Sequence, residues 1–213
     1  MSTCKSRPFR VGVPLLVVAA LGGSAAANAS AATLTLRTAA GALVPGAPIT
    51  ASSTDFRFLV AGGELACANT TLTGTLSSNA SPRDTVSLSS GSFSGEAEGS
   101  PCPSTSVFGP AVVEVLSFPW SVELGANGLV KVKAHRKATF KATFTKGSQQ
   151  GSCVYETAKV AGRFTASGPL VLNASGQRFS LNKSGSAGPC PKNGKVSGHF
   201  AFSSSGEVVE AEA

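Results

Sequence analysis

Hydrophobic residues recur at every second position along most of this chain. Leu34 and Leu36 alternate with Thr33, Thr35 and Arg37, and Phe56, Phe58 and Val60 alternate around Arg57. Leu72 and Leu76, Val86 and Leu88, and Val113 and Val115 continue the pattern. Farther along come Val130 and Val132, then Phe140, Ala142 and Phe144, then Phe164, Phe179 and Leu181, and last Phe200 and Phe202. Side chains of an extended chain point to two faces in turn, so each run predicts a strand with one apolar and one solvated face. No stretch carries the three- and four-residue spacing of an amphipathic helix. The runs are short, rich in Val, Thr and Phe, and bounded by Gly, Pro, Ser and Asn. They predict an all-β fold, an antiparallel β-sandwich or barrel-like structure.

The breaks between runs predict turns. Asn127-Gly128 and Asn193-Gly194 carry the pair that tight hairpins prefer. Pro45-Gly46 and Gly168-Pro169 are further breakers, Thr38 to Pro48 reads as a loop, and the tail beyond Ser203 reads as a frayed end or edge strand. The one candidate seam lies near Gly125. No flexible linker marks it, so residues 33–213 are expected to form a single domain, with 33–124 and 125–213 as possible pseudo-repeat halves.

The first 32 residues have a different character. Lys5, Arg7 and Arg10 precede an apolar run from Val11 to Leu21, and small residues follow, with Ala27-Asn28-Ala29 and Ala29-Ser30-Ala31 as cleavage candidates. That order predicts a secretory signal peptide over 1–32, with a retained anchor as the alternative. Cys4 precedes the apolar run and would leave with the leader. The expected address is secreted, extracellular or cell surface.

Export gives the remaining cysteines a meaning. Cys67, Cys102, Cys153 and Cys190 form an even set, the signature of disulfides in an oxidising compartment. No pair has the short spacing of a zinc knuckle, and two histidines add little, so no metal is expected. Three pairings are possible. An internal resemblance favours one of them: each half runs from a cysteine through a Gly between alternating residues and a Phe (Phe93, Phe179) to Pro-Cys-Pro. It favours Cys67 with Cys102 and Cys153 with Cys190.

The order Cys67, Cys102, Phe118-Pro119-Trp120, Cys153-Val154-Tyr155 and Pro189-Cys190-Pro191 resembles a group of exported actinobacterial β-rich proteins of unknown function. Thr157 stands where that group often has Gly. The resemblance implies a fold and an address and no activity. Trp120 is expected to be a core aromatic beside a disulfide, and Tyr155 to pack near Cys153 with its hydroxyl bonded to backbone.

Composition narrows the function classes. Hydrophobic residues make up 42% of 213, enough for a core, while a charged share of 14% falls well below the roughly 25% of ordinary domains and excludes coiled coils. No G-x-S-x-G elbow, phosphate-cradling loop or dinucleotide fingerprint occurs. His135 lies in a basic strip, and His199 falls on the strand face opposite Phe200 and Phe202. Asp55 and Asp84 are the only aspartates; nothing in the sequence selects a Ser–His–Asp set from these parts. Glu96 and Glu98 read as a solvated loop and Glu114 as an outward strand position. A binding protein without cofactor is favoured over an enzyme.

Charge is the most informative feature. Residues 33–124 hold three bases and seven acids, net −4, whereas 125–200 hold twelve bases and one acid, net +11. The densest run is Lys131, Lys133, Arg136, Lys137, Lys141 and Lys146. A hairpin turning at His135-Arg136-Lys137 would pair Val132 with Phe140 and set Lys131 against Lys141, and like charges directly opposed destabilise a sheet. Such a face suits an anionic cell-wall polymer, acidic polysaccharide or anionic lipid headgroups. Nucleic acid is disfavoured by export and by the lack of interleaved aromatics. The rival expectations are neutralisation by the acidic half, a secreted hydrolase, and a carrier of a small apolar ligand.

Overall fold

A computed structural model describes residues 32–146 and 149–213. The expected leader, Cys4 included, lies outside the described residues except for Ala32. In chain order the strands begin with β1 (Thr35–Thr38), β2 (Gly41–Ala42), β3 (Pro48–Ser53), β4 (Phe56–Val60), β5 (Gly63–Cys67) and β6 (Asn69–Ser78). Next come β7 (Arg83–Ser94), β8 (Ala111–Val115), β9 (Trp120–Gly125), β10 (Leu129–Ala134), β11 (Ala138–Lys146) and β12 (Gln149–Thr157). The last are β13 (Val160–Arg163), β14 (Ser167–Pro169), β15 (Val171–Leu181), β16 (Asn193–Ser204), β17 (Glu207–Val208) and β18 (Glu210–Glu212). Alternation is legible in their burial: Trp120, Val122 and Leu124 are buried along β9, as are Val196, Phe200 and Phe202 along β16.

Hydrogen bonding closes eight of these strands into an antiparallel barrel in the order β16, β3, β6, β7, β9, β10, β13, β15 and back to β16. Eight strands give an interior that side chains can fill. The long strands β15 and β16 also serve a second circuit. The first residues of β16, Gly194–Ser197, pair with β4 and its later ones, Ala201–Ser203, with β3. The end of β15 pairs with β12, which continues through β11 to β8. Bridges at Leu65–Ser104 and Cys102–Ala111 join β5 to β8 and complete that circuit.

A separate four-stranded sheet, β14-β18-β1-β2, supplies the buried side chains Leu36 and Ala211. Leu34, Leu170 and Val209, which flank its strands, are fully buried too. Asn79 ties β1 to the barrel: its side-chain oxygen accepts from the Leu36 amide at 2.7 Å, and its amide nitrogen donates to Leu36 and Leu43 carbonyls. Of the two expectations for the tail beyond Ser203, a frayed end is corrected and an edge strand is met by β17, which pairs with β16 alone. Val209 and Ala211 give the tail an apolar face worth burying, and β18 sits between β1 and β14.

The core is one continuous cluster centred on aromatic rings. Phe140 of β11 packs edge-on against Phe93, Trp120 and Phe179, with centroids 5.9, 5.5 and 5.2 Å away, and Phe56 lies 6.3 Å off. Each ring contributes on the order of 1.5–3 kcal/mol by leaving water. Both disulfides form as the repeat favoured, Cys67–Cys102 and Cys153–Cys190. Gly125 lies within the β9–β10 hairpin, where Leu124 pairs with Val130.

Two expected turns come out differently. Asn127-Gly128 does turn, with Gly128 at φ +74°. Asn193-Gly194 does not: Asn193 and Gly194 open β16, paired with Ser180 and Phe179. A glycine is required there for another reason, since a Cβ would lie 2.3 Å from the Phe58 ring. The hairpin at His135-Arg136-Lys137 is likewise absent. β10 pairs with β9 and β13, whereas β11 pairs with β8 and β12, so the segment between them carries the chain from one circuit to the other.

Candidate functional site

The basic run is where the sequence placed a site, and its strands set acids beside most of it. Lys131 is opposite Glu123 on β9, and Lys133, two residue pairs along, forms an ion pair with that same Glu123. Lys137 pairs with Glu156. Lys141 lies opposite Glu114 on β8, with its Nζ 3.5 Å from the carboxylate. Arg136 is exposed in the β10–β11 connection and forms no ion pair among the described residues, and Lys146 ends β11 opposite Gln149. The arrangement expected from a hairpin, Lys131 against Lys141, does not occur. Acids of the first half and Glu156 answer Lys133, Lys137 and Lys141 instead. Exposed pairs of this kind stabilise by about 1 kcal/mol or less, and Arg136 stays without an ion-pair partner among the described residues.

Unanswered charge also appears elsewhere. Arg178 of β15 and Lys195 of β16 are direct cross-strand partners. Both are exposed, and neither has an ion-pair partner among the described residues. Lys195 also faces Leu59 of β4. The two cations line a surface concavity of about 580 Å³ with Leu59, Val60, Ala61, Phe179, Ser180, Asn193 and Gly194. No acid lines it. Glu64, the acid opposite Leu59, is engaged by Arg57 at 2.5 Å. The groove thus offers a guanidinium fork and an ammonium side by side, hydroxyl and amide groups from Ser180 and Asn193 two pairs along, and an apolar wall from the end of β4 and the turn after it. Arg and Lys side chains only donate, so the groove's complement is an acceptor-rich anion.

The sequence hides this pair because Asn193-Gly194 reads as a turn, which takes Lys195 out of any strand register. The available signal was alternation itself: Lys195 is out of phase with Val196 and belongs on the solvent face.

Catalytic candidates are placed less suggestively. Asp55 and His199 do meet: Asp55 Oδ2 lies 2.6 Å from His199 Nδ1, and Oδ1 accepts from the His199 backbone amide at 2.8 Å and from Ser53 Oγ at 3.0 Å. Partial burial pushes the Asp55 carboxyl up. The bonds from the His199 side chain and amide and from Ser53 outweigh that effect and hold it below 3.8. An ionised carboxylate only accepts, so Nδ1 carries the proton. The dyad lies on an exposed sheet surface and lines neither the groove nor the interior cavity. His135 is exposed in the connection between the circuits.

Inside the barrel lies a wholly apolar cavity of about 60 Å³, bounded by Ala51, Trp120, Val132, Phe140, Val160 and Phe200 among others. That is well short of the roughly 150 Å³ that admits a benzene ring, which removes support from the carrier reading. Trp120 is core, but its ring neighbours are Phe118, tilted at 5.0 Å, and Phe140, where a disulfide was expected beside it; its indole N–H is donated to Ser117 Oγ at 2.9 Å. Tyr155 is 1% exposed and packs 4.7 Å from Phe58, but its hydroxyl makes no backbone bond among the described residues. Burial pushes that phenol up to about 12. No group of three metal-ligating side chains occurs among the described residues. None of their helices is long and apolar enough to cross a membrane.

These features define a disulfide-stapled antiparallel β-barrel with a cationic surface groove. Comparison with known protein families, curated proteins and solved structures finds no match.

Proposed function

We propose that this chain is a non-enzymatic binding protein of the cell exterior that holds an anionic envelope component in the Arg178–Lys195 groove. The observation that carries the reading is the direct opposition of those two cations on β15 and β16 in a concavity lined by no acid. Two like charges across a ladder destabilise it by a few tenths of a kcal/mol or more, and a phosphate or carboxylate held between them reverses the sign. The two disulfides fit an oxidising compartment. The resemblance to exported β-rich proteins supports the same address.

Retention on an immobilised polyol-phosphate polymer tests the proposal. Binding is expected at low salt and lost by about 0.5 M NaCl, where the Debye length falls to a few ångströms. The Arg178→Ala/Lys195→Ala double variant is expected to lose most of it. The Lys133→Ala/Lys137→Ala/Lys141→Ala variant is expected to keep it. Salt-insensitive retention, or a double variant that binds like the parent, overturns the reading.

A further inference from the structure

The adjoining strands β13, β15 and β16 carry cations on their outer face and no Asp or Glu anywhere in their length. Arg178 and Lys195 are one cross-strand pair on that face. Four residues farther along β16, His199 lies opposite Asn173 of β15, and Asn173 in turn lies opposite Arg163 of β13. Arg163, Asn173 and His199 therefore form a row across three strands, and all are exposed. A bulge between Ala174 and Gln177 interrupts β15, but burial alternates along β16 without a break. Every second residue of a strand returns to the same face, so the row looks out beside Arg178 and Lys195. Strand rise places His199 about 13 Å from Lys195, and strand spacing sets Arg163 about 10 Å from His199.

The charges around this row leave Arg163 uncompensated. Arg163 has no ion-pair partner among the described residues, and its other neighbour, on β10, is the apolar Leu129. Arg57 of β4, opposite Ser197, is engaged by Glu64. Asp55 is the one acid bonded to His199 among the described residues, and both its oxygens are committed: Oδ1 to the His199 amide and Ser53 Oγ, Oδ2 to His199 Nδ1. With Nδ1 donating, Nε2 is the acceptor nitrogen of the neutral ring, and it has no hydrogen-bond partner among the described residues. The row thus offers a guanidinium fork, a carboxamide and a ring acceptor. Its complement is an anion that also bears a hydroxyl.

We infer that the Arg178–Lys195 groove is one end of a longer track, and that Arg163, Asn173 and His199 form a second subsite on it for a polyol-phosphate chain. The inference rests on the groove's holding an anion and extends that reading to the form of the ligand. One phosphate lies between Arg178 and Lys195, a later phosphate of the same chain meets Arg163, and a polyol hydroxyl donates to His199 Nε2. A single phosphate cannot span the two subsites, whereas a chain engages the second one intramolecularly once the first is filled. The basic run of β10 and β11 offers no such track, because Glu123, Glu156 and Glu114 stand against Lys133, Lys137 and Lys141.

Calorimetric titration at low salt with glycerol phosphate, with a long polyglycerol phosphate and with inorganic polyphosphate of matched charge tests the track. Arg163→Ala is expected to weaken the polyglycerol phosphate chain by about tenfold or more, the worth of a charged hydrogen bond, and to bind the monomer as the parent does. Arg178→Ala/Lys195→Ala is expected to weaken both. The parent is expected to prefer the polyol chain to polyphosphate, which has no hydroxyl between its phosphates to donate to His199. An Arg163→Ala variant that binds the chain like the parent, or a parent that does not prefer the polyol chain, overturns the track while loss of the monomer in the double variant leaves the groove standing. A double variant that keeps the monomer, beside an Arg163→Ala variant that loses the chain, faults the groove and supports the second subsite. A parent that binds none of the three overturns both.

Discussion

The Asp55 carboxylate does for His199 what a neighbouring strand does elsewhere along β16. β16 pairs with β4 up to Ser197 and with β3 from Ala201, and between those ladders the His199 amide donates to Asp55 Oδ1 at 2.8 Å. Ser53 ends β3 and Asp55 lies in the short connection to β4, so the Asp55 side chain fills the gap that its own loop opens. The bond from His199 Nδ1 to Oδ2 then locks the imidazole over that junction.

Replacing Asp55 with Ala is expected to cost about 1 kcal/mol, the usual net value of a hydrogen bond lost at a partly exposed site. Chemical denaturation with unchanged m-value reads it. The pH dependence has a definite sign. The folded-state carboxyl lies below 3.8, so its contribution is whole above 3.8 and fades as pH falls through the lowered value. Asp55→Asn should lose that acid limb, and a variant whose stability falls with acid as the parent's does would contradict the assignment.

The two disulfides should differ in resistance to reductant. Cys67 and Cys102 are 1% and 0% exposed, whereas Cys190 is partly exposed beside its buried partner Cys153. Under native conditions, dithiothreitol followed by alkylation and mass mapping is expected to label Cys153 and Cys190 first. Loss of either bond is expected to cost on the order of 2–4 kcal/mol, from closed loops of 35 and 37 residues. Simultaneous labelling of all four cysteines would mean that reduction follows global unfolding instead.

Phe140 joins both circuits through its rings, and its removal should be felt by the whole molecule. Phe140→Ala is expected to cost about 3–5 kcal/mol as a core cavity opens. Trp120, the only tryptophan, sits 5.5 Å from that ring and provides the readout. Its emission should shift toward the red in the folded variant, and thermal and fluorescence transitions should move down together. A loss under 1 kcal/mol would show that the ring is not central to the core.

Alternation told most of the strands apart because burial in a barrel is decided residue by residue, and Phe200 against His199 is a clear instance. Connectivity was harder to read. Adjacent runs usually pair, and nothing local in Val132 or Phe140 reports that β10 and β11 belong to different circuits. The chemistry of the basic run followed that error, because its acids, Glu114 and Glu123, arrive from strands earlier in the chain. Gly194 misled for a physical reason: a glycine needed to admit the Phe58 ring and one needed to turn the chain have the same sequence appearance. Asp84, fully buried near the start of β7, was legible in principle, being an acid in phase with Val86 and Leu88, where alternation demands an apolar side chain.

The ladder between β1 and β18 joins the earliest described strand to the final one, Thr35 opposite Glu212. During synthesis, a polypeptide that has not yet reached residues 210–212 can assemble barrel staves but cannot lay down this seam, and deleting those three residues would leave Leu36 without the strand paired beside it.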